Sequence, residues 1–293
     1  MKNLLAAFIL VFLSTNCNAQ QKFKLAAWQN FVKLRDTNHL APQLASSIDS
    51  FSNKAQLIIG ERAYLLGLTS NGFVEYRDAY KGSANSTFKA TPKVFKPEFK
   101  AAVDSILKAQ TKNEKVELLI GKMIFEQNNR KWTPTETKYY DRELEFEWKP
   151  GKADEMYGLH IKDASGADMV WERVKSNKIS LKANQFLYDR CYYWQVEYET
   201  EKFTTDSICF YRMNLIEASV IQLKAKKLQD SFMSDSSAFG ALILAQYYES
   251  EGIQHLAHKY YKQAVVLGRN HVIYRRIFKN YLQRAGNFKV LND

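Results

Sequence analysis

The sequence predicts a multidomain chain, β first and α last: a small N-terminal β-module, an antiparallel β-sandwich, and C-terminal α-helical hairpins. Three observations predict it. The length of 293 residues exceeds one undivided core and suits two or three modules. Between Ala55 and Tyr211 apolar residues come in short alternating runs, the period of half-buried strands. From Asn214 onward they recur at i+3 and i+4, the period of a helix. With 46% hydrophobic, 14% aromatic and 25% charged residues, the composition is that of an ordinary globular protein and excludes the disordered, collagen-like and coiled-coil classes.

Residues 1–19 read as a secretory signal peptide. Lys2 precedes an unbroken apolar run from Leu4 to Leu13, and small and polar residues follow up to Ala19. The run is too short to cross ~30 Å of hydrocarbon, and no transmembrane segment is expected. Export to the periplasm or beyond the cell is expected, with cleavage after Ala19. Acylation at Cys17 is the lesser alternative, because Ser14 stands three residues before it where lipoprotein signals carry Leu. The formal net charge of +11 loses only the unit carried by Lys2. Outside the cytoplasm such an excess points to anionic lipid, an acidic surface polymer or an acidic protein, and not to nucleic acid.

Residues 20–112 are expected to form the small β-module with a connecting helix. Its first part, to residue 53, reads as a short helix and an extended lead-in anchored by Trp28, Phe31, Val32 and Leu34. Short apolar runs follow at Leu57–Ile59, Ala63–Leu68 and Phe73–Tyr76. Asn71-Gly72, between the last two, signals a type I′ hairpin because both residues tolerate positive φ. The apolar strand ending in Leu66-Gly67-Leu68, with a charged strand after it, resembles the small β-domains of secreted bacterial proteins, FecR-like ones included. Beyond Pro92 and Pro97, the spacing of Phe99, Val103, Ile106 and Leu107 predicts the connecting helix. Residues 113–138 read as a linker region. It holds one apolar stretch, Val116–Phe125, that fits helix or strand, and a polar run, Gln127–Lys138, broken by Pro134.

Residues 139–213 turn strongly β. Leu144, Phe146 and Trp148 alternate, as do Tyr157, Leu159 and Ile161, and Pro150-Gly151 and Ser165-Gly166 mark turns. Met169–Val174, Ile179–Leu181 and Tyr192–Tyr198 complete the set. Leu144-x-Phe146-x-Trp148, Tyr157, Leu187 and Tyr192-x-Trp194-x-Val196 together resemble a fibronectin type III or related immunoglobulin-like domain. That resemblance implies a structural core with loops free to bind, and Trp148, Tyr157 and Trp194 as core residues. Trp171 is the tryptophan that this pattern secures least. Cys191 and Cys209 fall on one sheet face. If they lie opposite each other a cross-strand disulfide follows, and if the register differs they are free thiols.

Residues 214–293 are expected to be helical. Asn214 and Glu217 suit a helix start, and Leu215, Val220, Leu223 and Leu228 continue at helical spacing. Ser236–Ser250 and Ile253–Leu267 form a pair joined at Gly252. Leu244, Ala245, Tyr248, Gly252, Ala257, Tyr261 and Ala264 in that pair resemble a tetratricopeptide repeat, and a period of about 34 residues leads from Gly252 to Gly286. One and a half repeats do not stand alone, so the helices must pack on something else. The resemblance implies an inner, peptide-facing surface of Leu242, Gln246, Glu249, Arg276, Asn280 and Gln283, with Arg276 and Asn280 placed to grip a carboxylate. Between Ile253 and Asn292 stand Lys259, Lys262, Arg269, Arg275, Arg276, Lys279, Arg284 and Lys289 with no acidic residue among them. This is either an anionic docking surface or a face neutralised by its neighbours.

No nucleotide, hydrolase or zinc-protease motif occurs. His255 and His258 read as surface histidines and not as metal ligands, and Glu143, Glu145 and Glu147 as one solvent face of a strand. No metal and no cofactor are expected, and the chain is expected not to be an enzyme. The reading is a secreted modular protein that mediates protein association at the bacterial cell envelope. Its candidate contacts are Gln246, Glu249, Lys259, Lys262, Arg275, Arg276, Lys279 and Asn280. The alternatives are a binder of anionic lipid or glycan through the basic helices, and an enzyme without a recognisable motif.

Overall fold

The computed structural model describes residues 22–29, 32–35, 43–44, 50–52, 54–111, 131–133, 137–232 and 237–285. The signal-peptide segment, Val116–Phe125 and Gly286 lie outside the described residues. A β-rich part runs to Arg212, and four helices follow it. The chain divides into two compact units, one ending at Ala90 and one beginning at Thr91.

Among the described residues the first unit holds nine strands: β1 Lys22–Gln29, β2 Val32–Arg35, β3 Gln43–Leu44, β4 Ser50–Ser52, β5 Gln56–Ile59, β6 Tyr64–Thr69, β7 Gly72–Tyr76, β8 Tyr80–Ser83 and β9 Lys89–Ala90. They form two sheets, in the orders β4-β1-β6-β7-β9 and β3-β2-β5-β8. One core serves both, with Phe23, Leu25, Phe51, Leu65 and Val74 from the first sheet and Val32, Leu34, Leu57 and Ile59 from the second. The helix expected before residue 53 is instead strand β1. Its pairing with β6 shifts register between Leu25 and Ala27. Such an irregularity breaks the two-residue period that marks a strand in sequence.

The β6–β7 hairpin lies where Asn71-Gly72 placed it, but the turn differs. Thr69 pairs with Gly72, so the loop is Ser70-Asn71, and neither of these residues has positive φ. The Asn71 amide donates to Thr69 Oγ1 at 3.0 Å, which closes the turn through a side chain. Gly72 opens β7 because a Cβ there would lie 2.1 Å from the Lys89 carbonyl oxygen of the neighbouring strand.

The second unit begins with helix α1, Lys96–Thr111. The sandwich strands follow: β10 Lys131–Thr133, β11 Thr137–Tyr139, β12 Glu143–Trp148, β13 Tyr157–Asp163, β14 Asp168–Val174, β15 Lys178–Lys182, β16 Arg190–Tyr198, β17 Phe203–Thr204 and β18 Ile208–Arg212. One sheet is β10-β12-β15. The other is β11-β18-β16-β13-β14, with β17 beside β16. The polar run read as linker therefore contributes two strands, β11 pairing parallel to β18. Strands of three residues flanking a proline carry too little alternation to be read from sequence.

The inner faces meet in an aromatic core that includes Phe146, Trp148, Tyr157, Trp194 and Phe210. Trp194 packs edge-on against Phe146 at 5.3 Å between centroids. At the start of β16, Tyr192 bends the chain back on itself. Its hydroxyl accepts from the Leu187 amide at 2.7 Å and donates to the Leu187 carbonyl at 3.3 Å. Cys191 faces Tyr211 and Cys209 faces Tyr193, two residues off the register that would oppose them, and the two are not joined in a disulfide.

The closing helices are α2 Leu215–Phe232, α3 Ala238–Ser250, α4 Gln254–Leu267 and α5 Val272–Arg284. Asn214 Oδ1 accepts from the Glu217 amide at 2.8 Å, and Ser237 caps α3 by accepting from the Gly240 amide at 2.8 Å. Gly252, at φ +75°, ends α3, and the Ile253 amide reaches back to the Tyr248 carbonyl. Helix α3 is buried nearly all round, through Phe239, Leu242, Ile243, Leu244 and Tyr247, because other helices cover it. One of them is α1. Phe99 of α1 meets Phe239 edge-on at 5.6 Å and stacks on Phe232 of α2 at 6.4 Å. The helix expected to close the N-terminal module thus joins the C-terminal helices and supplies part of the support that so few repeats lack.

Sandwich and helices join at Gly252. Its carbonyl accepts from the Lys138 amide at 2.9 Å, and the Gln254 amide donates to Thr137 Oγ1 at 2.9 Å. His255 Nε2 lies 2.7 Å from Asp141 Oδ2, and its ring stacks on Tyr139.

Candidate functional site

Two surfaces of the second unit carry the residues expected to bind, and a third carries apolar residues of α2. The first surface is a groove of about 1040 Å³ between α1 on one side and α3 and α5 on the other. Gln246, Glu249, Asn280 and Gln283 line it, while Leu242 lies fully buried beneath. Gln246 and Glu249 of the groove are already engaged with the chain itself. Gln246 Nε2 donates to Ser105 Oγ of α1 at 2.9 Å and to the Tyr261 hydroxyl at 2.7 Å. Glu249 accepts from Tyr261, and Arg284 approaches it in bidentate fashion at 2.9 and 3.1 Å. Burial and the Glu249 carboxylate both push the Tyr261 phenol up, so it stays protonated. Arg276 donates to the Ala109 carbonyl of α1. Through that bond its guanidinium holds a helix end, where last-turn carbonyls lack partners.

The second surface is basic. Lys259 and Lys262 on α4 and Arg275 on α5 are exposed, and Lys279 is half-buried. None of these four has a carboxylate partner among the described residues. Arg284, from the same basic run, is neutralised by Glu249. Neither histidine of α4 is a surface group. His258 packs edge-on to Phe278 at 5.3 Å, and burial together with Lys262 lowers its pKa to about 4. Among the described residues no His, Cys, Asp and Glu side chains cluster as metal ligands. No helix there is long and apolar enough to cross a membrane.

The third surface is apolar. Helix α2 buries Ala218, Ile221, Ala225, Leu228 and Phe232 and turns Leu215, Ile216, Val220 and Leu223 to solvent. Ile216 is 80% exposed and Val220 64%. At the foot of this stripe a depression of about 600 Å³ lies between Leu215, Ile216 and Tyr188, which is itself exposed along with Leu187. The sequence placed Leu215, Val220 and Leu223 at helical spacing and no more. Periodicity marks a face as apolar but does not say that anything covers it.

On the sandwich, Trp171 is 57% exposed, and its indole donates to His160 Nε2 at 3.2 Å. Glu143 and Glu145 point to solvent, Glu145 pairing with Lys178 at 3.0 Å.

No protein-family model matches the chain, and no curated protein matches it. Among solved structures it is similar to the FN1–FN3 domains of chicken CNTN1, at 10% identity and a TM-score of 0.23, over 67% of this chain and 58% of that one. It is also similar to a β-1,2-glucanase from Parabacteroides distasonis, at 9% identity and a TM-score of 0.25, over 84% of this chain and 38% of that one. The chain thus spans less than two thirds of either. The expectation that it is not an enzyme is withdrawn, since one of these structures is an enzyme. Likenesses this weak carry no argument about what the chain does.

Proposed function

We propose that this is an exported protein of the bacterial cell envelope that works by protein association, and that its contact surface is the apolar stripe of α2. The carrying observation is that Leu215, Ile216, Val220 and Leu223 stand exposed along one helix whose opposite face is fully packed. A contiguous exposed apolar patch rimmed by polar residues is characteristic of interaction sites. The sandwich is read as fibronectin type III-like, supported by its two-sheet strand order and by the Tyr192–Leu187 corner. The α3–α4 pair is read as tetratricopeptide-like, supported by its tight turn at Gly252. Export rests on the Lys2–Ala19 pattern alone.

A second reading, attachment to anionic lipid or glycan through Lys259, Lys262 and Arg275, is favoured by the exposure of these three cations without carboxylate partners. One experiment separates the two. The chain, Val220→Glu, and Arg275→Glu combined with Lys262→Glu are each immobilised and exposed to envelope extract and to anionic vesicles. Loss of a protein partner with the first variant alone supports the association reading. Loss of vesicle binding with the second variant alone supports the other.

A further inference from the structure

We infer that the partner on the α2 stripe is a second copy of this chain, packed antiparallel across a two-fold axis between Val220 and Leu223. This rests on α2 being a contact surface, and it adds the identity of the partner.

At 100° per residue, Ile216, Val220, Leu223 and Lys227 fall within about 60° of one another and form a single line along the outer face of α2. Glu217 lies on one flank of that line near its start, and Lys227 closes its far end. A symmetric contact must place the same patch on both subunits, so each residue meets one at the opposite end. Reversing α2 about a point between positions 220 and 223 sets Val220 against Leu223 of the second copy. The same operation sets Ile216 against the aliphatic stem of Lys227 and brings the ammonium of Lys227 to the flank that holds Glu217. A two-fold axis perpendicular to both helices keeps that flank on one side, so Glu217 and Lys227 meet in both halves of the contact.

Charge complementarity therefore accompanies apolar complementarity at this register. Glu217 already accepts from Lys138 at 2.9 Å and retains a second oxygen for a second cation. Lys227 is exposed and has no carboxylate partner among the described residues. A parallel pairing would instead oppose Lys227 to Lys227. The depression beside Leu215 and Ile216 gives the far end of the partner helix a place to seat.

Sedimentation velocity on the purified chain, from micromolar to hundreds of micromolar, reads the assembly directly. A dimer is expected, with Val220→Glu weakening it by about tenfold or more, the effect of roughly 1.4 kcal/mol. Glu217→Lys and Lys227→Glu should each weaken it, and mixing these two variants should restore a heterodimer because both ion pairs re-form, one with reversed sign and one as in the unaltered chain. With Cys17, Cys191 and Cys209 replaced by Ser, Val220→Cys with Leu223→Cys should give a covalent dimer on mild oxidation, and Arg275→Cys should not. A monomer throughout the range, or a dimer indifferent to Val220→Glu, overturns the inference. If that monomer still captures an envelope protein that Val220→Glu loses, the association reading survives without self-pairing. If it captures nothing, both fall.

Discussion

The guanidinium of Arg276 on α5 donates a hydrogen bond to the carbonyl oxygen of Ala109 near the end of α1, joining residues 167 positions apart. A cation at a helix C-terminus satisfies carbonyls that lack intrahelical partners and complements the negative end of the dipole. Arg276→Met keeps the apolar stem and removes the donor, and should destabilise the chain by about 1 to 2 kcal/mol. Urea unfolding checks this. An unchanged midpoint would mean that the contact contributes nothing.

His258 should make the fold sensitive to mild acid. Its pKa in the folded chain is lowered from 6.5 to about 4, first by burial and then by Lys262. Below pH 6.5 the unfolded chain takes up a proton that the folded chain refuses, so stability is complete above that pH and is lost as pH falls toward 4. The full loss is about 3 kcal/mol. Melts of the chain and of His258→Leu between pH 7 and pH 4.5 should diverge, the variant losing less. Parallel curves would remove His258 from the account.

The Tyr192 hydroxyl, bonded to both backbone groups of Leu187, fixes the bend into β16. Tyr192→Phe leaves the Leu187 amide without its partner and should cost about 1 to 3 kcal/mol with little change in secondary structure. Chemical denaturation with circular dichroism tests it. A cost near zero would show that water replaces the hydroxyl.

Cys191 and Cys209 sit diagonally on the outer sheet face and are not joined in a disulfide. Alkylation of the unfolded chain without reductant should label both, and reductant should leave the melting temperature unchanged. Protection of the pair from alkylation would contradict the register.

The order of the modules was legible in the sequence because strand and helix periods differ, and the caps at Asn214 and Gly252 follow from local chemistry. Long-range placement was not legible. Helix α1 has an ordinary amphipathic pattern, and nothing in Phe99, Ile106 or Ala109 indicates that its partner is Phe239, well over a hundred residues away. Helix α2 is apolar on two faces, and spacing cannot say that Ile221 and Leu228 go inward while Ile216 and Val220 stay out. The basic run was read correctly as composition. In space it divides between exposed cations such as Lys259 and groups already paired, such as Arg284 with Glu249.

The most direct test of α2 as the contact surface is photo-crosslinking in the intact envelope, with p-benzoylphenylalanine placed at Val220, at Leu223 and, as a control, at Arg275. The account predicts discrete protein adducts from positions 220 and 223 and none from 275. Adducts from 275 alone, or from none of the three, would contradict it.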